Sequence, residues 1–194
     1  ISTNTATNEY CKKQNTKNDP NNICTHCYSW TMLKTFRQNM APALQRNSDL
    51  LTSKILHPDA LPVINQAFFR FNSHGELDLN KKKATINLIN YINIAIKNPH
   101  CNFALWTKRF DIIKPYFDKN KKPKNFILVY SNPKINHIFK KPPKHFDKTF
   151  NNVYENIEVK KQNCTGQKCK DCLLCYKLDT TNTIVEKVKS YGKK

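Results

Sequence analysis

Seven of the eight cysteines fall in two groups at opposite ends of the 194-residue chain, Cys11, Cys24 and Cys27 near the start and Cys164, Cys169, Cys172 and Cys175 near the finish. Thiols clustered in this way are suited to holding metal. The late group reads Cys-x4-Cys-x2-Cys-x2-Cys, a spacing in which successive thiolates of one loop can grip an iron–sulfur cube of the 4Fe-4S type. Zinc stands as the structural alternative. It more often uses two separated Cys-x2-Cys knuckles, which Cys24 and Cys27 would supply together with two of the late cysteines. Four thiolates make a closed centre, structural or electron-carrying, whereas three leave a coordination position open for water, substrate or cofactor. The chain is thus expected to carry one or two clusters. Cys101 opens an apolar run and reads as a buried, inert thiol.

The second chemical signal is charge. The formal net charge is +19, from 33 Lys and Arg against 14 Asp and Glu, and a chain this basic seeks polyanions. Richness in Lys, Asn and Ile together is also what an AT-biased genome produces without selection for binding. The basic runs are Lys81 to Lys83, Lys119 to Lys124 and Lys140 to Lys144. Lys81, Lys82, Lys83, Lys108, Arg109, Lys121 and Lys122 are the residues expected to meet nucleic acid or another polyanion, in contacts that are salt-sensitive and blind to sequence. Phe126 and Tyr130 lie in an expected core strand and are not expected to stack on bases. No recognition helix and no Ser/His/Asp constellation emerges.

Positioning these groups falls to one medium domain, for which the apolar fraction of 39% suffices. The polar stretch 1–28 reads as a metal-binding loop. A helical pattern follows through Trp30, Leu33, Phe36, Met40 and Leu44, kinked or split at Pro42, with further helix over Ser48 to Ile55 and Asp59 to Gln66. A strand is expected over Ala67 to Asn72, a helix over 80–97 ended by Asn98-Pro99, a strand over Cys101 to Trp106, a helix around Asp111 to Phe117, and a strand over Phe126 to Tyr130. That alternation implies crossover connections and a largely parallel sheet. Lys140 to Lys144 reads as an exposed linker, Val153 to Lys160 as one more strand, and Thr181 to Tyr191 as a closing helix or strand. The division expected is a domain over 1–150 including the early cysteines, with a cysteine-rich segment over 151–194 packed on it. No run approaches the roughly twenty apolar residues that span a bilayer, and no secretory signal is seen. The reading is therefore reduced thiols in a cytosol, with no membrane partner and room for a protein partner.

Cys24-Thr25-His26-Cys27-Tyr28, followed by a strand leading into Gly75-Glu76, resembles the cluster loop and glycine-glutamate motif of radical S-adenosylmethionine enzymes. The resemblance implies that Cys11, Cys24 and Cys27 hold a cluster with one open iron. It further implies that His26 packs near the adenine of S-adenosylmethionine, and that Gly75 and Glu76 meet the cofactor's amino group. Twelve residues separate Cys11 from Cys24, against three in that superfamily, and only one glycine precedes Glu76. The fold implied is α/β, a reduced or partial (βα) barrel-like parallel sheet. Cys-Tyr after the early pair, Phe-Arg-Phe-Asn-Ser-x-Gly-Glu, Trp-Thr-Lys and the late Cys-x2-Cys-x2-Cys-Tyr together resemble the phage and plasmid family called gene product eighty-eight, over nearly the whole chain. That likeness implies the cytoplasm of a bacterial host, and it carries no reaction. The expected function is an iron–sulfur, radical-SAM-like protein acting on or binding nucleic acid or an acidic macromolecule. The alternative is a non-catalytic zinc- or iron–sulfur-stabilised nucleic-acid-binding or regulatory protein.

Overall fold

In β-structure that is covered on both faces, strands read as continuous apolar runs, and three segments of this chain have that character. A computed structural model, which describes residues 1–154 and 162–188, makes them neighbours. β1 (Phe68–Phe71), β2 (Asn102–Thr107) and β3 (Phe126–Ser131) are joined by β4 (Lys148–Val153) and β5 (Thr183–Lys187) in one sheet. The spatial order is β1-β2-β3-β4-β5, and every adjacent pair is parallel. The fold is mixed α/β with an all-parallel five-stranded sheet whose strands follow one another in chain order.

Side chains alternate across a strand, and this sorts the core into two layers. Phe71, Phe103, Leu105, Phe126 and Leu128 pack outward against Leu88 and Tyr91 of α4 (Lys81–Lys97) and Ile112 and Ile113 of α5 (Phe110–Phe117). Phe71 stacks on Tyr91 and Phe103 with ring centroids 4.2 and 5.1 Å apart. On the other face Ala104, Trp106, Ile127 and Val129 pack with Tyr176, and Phe68, Phe150, Leu173 and Cys175 join them. The late cysteine segment therefore covers the inner face of the sheet, and β5, which follows it, pairs with β4 from Thr149↔Thr183 to Val153↔Lys187. A boundary at 150 falls inside β4, so the segment and the preceding domain share one sheet.

Several elements depart from the sequence reading. Residues 1–28 are not all loop, because Asn8 caps α1 (Glu9–Asn15), its side chain accepting from Cys11 N. The pattern from Trp30 to Leu44 is broken at Thr35 into α2 (Tyr28–Lys34), a 3-10 turn (Gln38–Met40) and α3 (Ala41–Ser53). Pro42 lies in the first turn of α3, where its missing N–H is needed by nothing, and it starts the helix instead of kinking it. Asp59 to Gln66 is not a helix beyond the 3-10 turn Pro58–Ala60. Asn98 draws that stretch out, accepting from Ile64 N at 2.7 Å and donating to Pro62 O at 3.0 Å. β4, Lys148–Val153, was not expected as a strand over 148–152, and most of the strand expected over 153–160 lies outside the described residues. Residues 155–161 and 189–194, which include the ends of two expected elements, lie outside the described residues.

Candidate functional site

The early cysteines are brought together by backbone capping and turns. The Asn8 side chain accepts from Cys11 N at 3.0 Å and donates to Glu76 O at 2.7 Å, fixing the first turn of α1 against the loop that follows β1. Asn22 Oδ1 accepts from Cys24 N at 3.0 Å, and Asn15 Nδ2 donates to Cys24 O at 2.8 Å, closing the twelve-residue gap across α1. Cys27 is the N-cap residue of α2. Backbone bonds from Ile23 N to Pro133 O and from Ile135 N to Asn21 O, both 2.8 Å, tie this region to the segment after β3.

All three early thiols line one cavity of about 310 Å³, together with Cys164, Cys169 and Cys175 from the other end of the chain. Cys172 does not line it, and its Sγ accepts from Gln167 Nε2 at 3.4 Å. Burial pushes Cys11 well above the ordinary thiol range, with the charges of Glu76 and Cys27 adding and Lys108 opposing. Burial likewise raises Cys24, against the pull of Lys108. Burial takes Cys175 up to about 12, against Arg70. Lys108 is the counterpart of the early thiols. Burial would lower its pKa, but Cys24, Glu76, Tyr10 and Cys11 outweigh burial and hold it above the usual lysine value. Lys108 Nζ donates to Ser131 Oγ at 3.1 Å. Among the described residues no group of three or more His, Cys, Asp or Glu side chains is placed to hold a metal ion.

The loop after β1 is built against the N-terminal strap. Gly75 has φ +76, and a Cβ there would lie 2.1 Å from Thr3 Oγ1 and 2.6 Å from Thr3 O, so this close approach excludes any side chain. Gly75 N donates to Thr5 Oγ1 at 2.8 Å, Thr5 and Ser29 share a hydroxyl contact of 2.5 Å, and Ser29 Oγ meets His74 Nδ1 at 2.7 Å. Glu76 is only 5% exposed. Its Oε1 accepts from Thr107 Oγ1 at 2.6 Å and Leu77 N at 2.8 Å, and its Oε2 from Lys108 N at 2.9 Å. The carboxylate thus ties the loop after β1 to the end of β2 and keeps a lone-pair direction on Oε2. His26 also lines the cavity, its Nε2 meeting Pro20 O at 3.0 Å with Tyr154 edge-on at 6.1 Å.

The cations expected to meet polyanions are scattered. Lys81, Lys82 and Lys83 form the exposed first turn of α4, and Lys121 is exposed. Lys122 pairs with Asp147. Lys108 faces the cavity. Arg109 is 3% exposed and bonds to Asp111 at 2.8 Å through Nε and Nη2, and to the carbonyls of Leu77 and Asp78, so it is closed to any external polyanion. Cys101 is fully buried, and burial raises its pKa to about 11. Arg70, Asn72 and Trp106 line the cavity and were not among the expected binding residues. The available signal was a lone charge at an inward position of Phe68-Phe69-Arg70-Phe71.

Among the described residues no helix is long and apolar enough to cross a membrane. A protein-family model described as Gene product 88 matches residues 3–165. No curated protein and no solved structure matches the chain.

Proposed function

The chain belongs to the gene product 88 family, whose name describes no reaction, and from its cavity we propose an iron–sulfur enzyme of radical S-adenosylmethionine type. One observation carries the reading: thiols from both ends of the chain line a single cavity on the inner side of an all-parallel sheet whose strands run in chain order. The support for a cluster is the chemistry of the donors, since thiolates are the ligands of iron–sulfur centres. Cys11, Cys24 and Cys27 would hold one cluster, and Cys164, Cys169, Cys172 and Cys175 a second. Bound there, a cluster with an open iron supplies one-electron reduction of a ligand at that iron.

The protein's own contribution is positioning and charge. Lys108 offsets the negative charge that thiolates and Glu76 concentrate at this end of the cavity. Glu76 ties the loop after β1 to the end of β2 and could offer Oε2 to a cationic ligand group. Gly75 lets the turn into Glu76 close against Thr3, and His26 lines the same cavity, where its ring could cover a flat ligand group. The test is oxygen-free purification with assay of iron, acid-labile sulfide and zinc, then reductive cleavage of S-adenosylmethionine. About seven to eight irons per chain are expected if both groups are loaded, falling by about half in Cys24→Ser, which should also abolish cleavage. Stoichiometric zinc without iron, or no cleavage by a protein with intact clusters, overturns the reading.

A second reading, a metal-stapled polyanion-binding protein, draws on Lys81, Lys82 and Lys83. They crowd the first turn of α4, which holds no acidic residue. Cations are disfavoured at a helix N-terminus, so the run is unfavourable to the helix itself.

A further inference from the structure

Arg70 and Asn72 lie two positions apart, at the end of β1 and just beyond it, and both line the cavity. The Arg70 guanidinium lies over the Trp106 ring with Cζ 3.9 Å from the ring centroid. Stacking holds the fork in one plane. Yet among the described residues it has no hydrogen-bond acceptor, and its Nε is buried without a partner. Asn72 is 4% exposed, and its Oδ1 accepts from the Tyr91 hydroxyl at 2.8 Å, while its Nδ2 is buried and unpartnered. The two carboxylates that line the same cavity have other partners. Glu76 binds Thr107, Leu77 and Lys108, and Glu186 lies 3.6 Å from Cys164 Sγ. A buried donor left without an acceptor is unfavourable, and here two of them belong to residues that line the same cavity.

We propose that this wall of the cavity is an oxyanion site, in which the Arg70 fork and Asn72 Nδ2 receive the carboxylate or phosphate of a small ligand. A planar fork with a neighbouring amide donor matches such a group, and charge-assisted bonds of this kind are the strong ones. The cavity, about 310 Å³, is at the small end of ligand pockets. Three properties follow. The ligand is anionic, it is small, and it is gripped on the β1–β2 wall and not by Lys108 beside the early thiols. The site needs no metal, so it stands apart from the cluster reading. A competing role for Arg70 is to offset charge on the late thiolates, since it opposes the upward push of burial on Cys175 and Tyr176.

The chain has four arginines, Arg37, Arg46, Arg70 and Arg109, so the Nε–H signals of labelled protein are few enough to follow singly. The protein is titrated with succinate and, separately, with inorganic phosphate at constant ionic strength set by chloride. A saturable shift of the Arg70 signal with either anion is expected, and the anion that produces it says whether the natural group is a carboxylate or a phosphate. Arg70→Lys keeps the charge and loses the fork. Followed through the Trp106 indole N–H, it should bind at least tenfold more weakly. Asn72→Asp is the second variant, because Asp tolerates the positive φ of 54 at this position and retains an acceptor for Tyr91 while placing a negative charge where the donor stood. It should abolish the shift. No saturable shift with either anion overturns the proposal. So does an Arg70→Lys variant that binds anions normally but loses iron, which would assign the cation to the late thiolates. A protein that carries no iron yet titrates as expected would refute only the cluster reading.

Discussion

At the scale of single residues, chemistry and architecture share the same few positions. Gly75 and Glu76 stand out in the sequence as a ligand-binding pair, and in the structure both also hold the chain together. The space at Gly75 is filled by Thr3, and its φ is in the left-handed region, whereas Gly166 has φ +88 and nothing within 4 Å of an added Cβ. Gly75→Ala should therefore destabilise the protein by more than about 2 kcal/mol, and Gly166→Ala by about 1 kcal/mol, the backbone term alone. Urea unfolding of the two variants side by side checks this, and equal losses would mean that Thr3 does not make the close approach. The thiols were legible because cysteine spacing survives in the linear sequence. Arg70 was passed over because its neighbours are phenylalanines, and a strand's inward and outward positions cannot be told apart until the strand is placed in a sheet.

Among the elements, those with clean periodicity were legible: β1, α4, β2, α5 and β3 all fall within a few residues of expectation. β4 was not. Its Lys-Thr-Phe-Asn-Asn-Val shows no apolar period because its polar side chains are paired inside the protein. Lys148, 1% exposed, donates to Asp179 at 2.7 Å and to Thr181 O at 2.6 Å. Asn151, fully buried, accepts from Phe139 N at 3.0 Å and Asn132 Nδ2 at 3.1 Å. The asparagines that looked like genomic accent act as staples in several places. Asn90 holds Leu56 N, Leu51 O and Lys54 O, and Asn125 Nδ2 donates to Ala95, Cys101 and Asn98 carbonyls. For α4 the lysine turn gives a two-sided prediction. Replacing Lys81, Lys82 and Lys83 together by Gln should raise stability by about 0.3 kcal/mol per charge. If the polyanion reading is right, it should also lower affinity for single- or double-stranded DNA and flatten the salt dependence. Unchanged DNA binding in a filter assay across salt concentrations would remove α4 from any such interface.

Across the whole molecule, the sheet depends on the last part of the chain in two ways. β5 covers the edge of β4, and Leu173, Cys175 and Tyr176 cover the inner face around Trp106. A chain ending at Tyr154 should expose Trp106, Ile127, Val129 and Phe150 and leave β4 as an open edge. Gel filtration with a hydrophobic dye should show aggregates that bind the dye, and a monodisperse, dye-silent species would show that the inner face is covered from elsewhere. The parallel sheet was anticipated from the alternation of strands and helices, whereas residues 148–152 of β4 were assigned no element and the stretch of β5 was left open between helix and strand. The strap formed by Ser2 to Thr5 and the late lining residues Cys164, Cys175 and Glu186 give the shared cavity a consequence in time. A ribosome releases Cys11, Cys24 and Cys27 long before it has made the residues that form the opposite wall. Until then the early thiols lack the late part of the chain that lines their cavity.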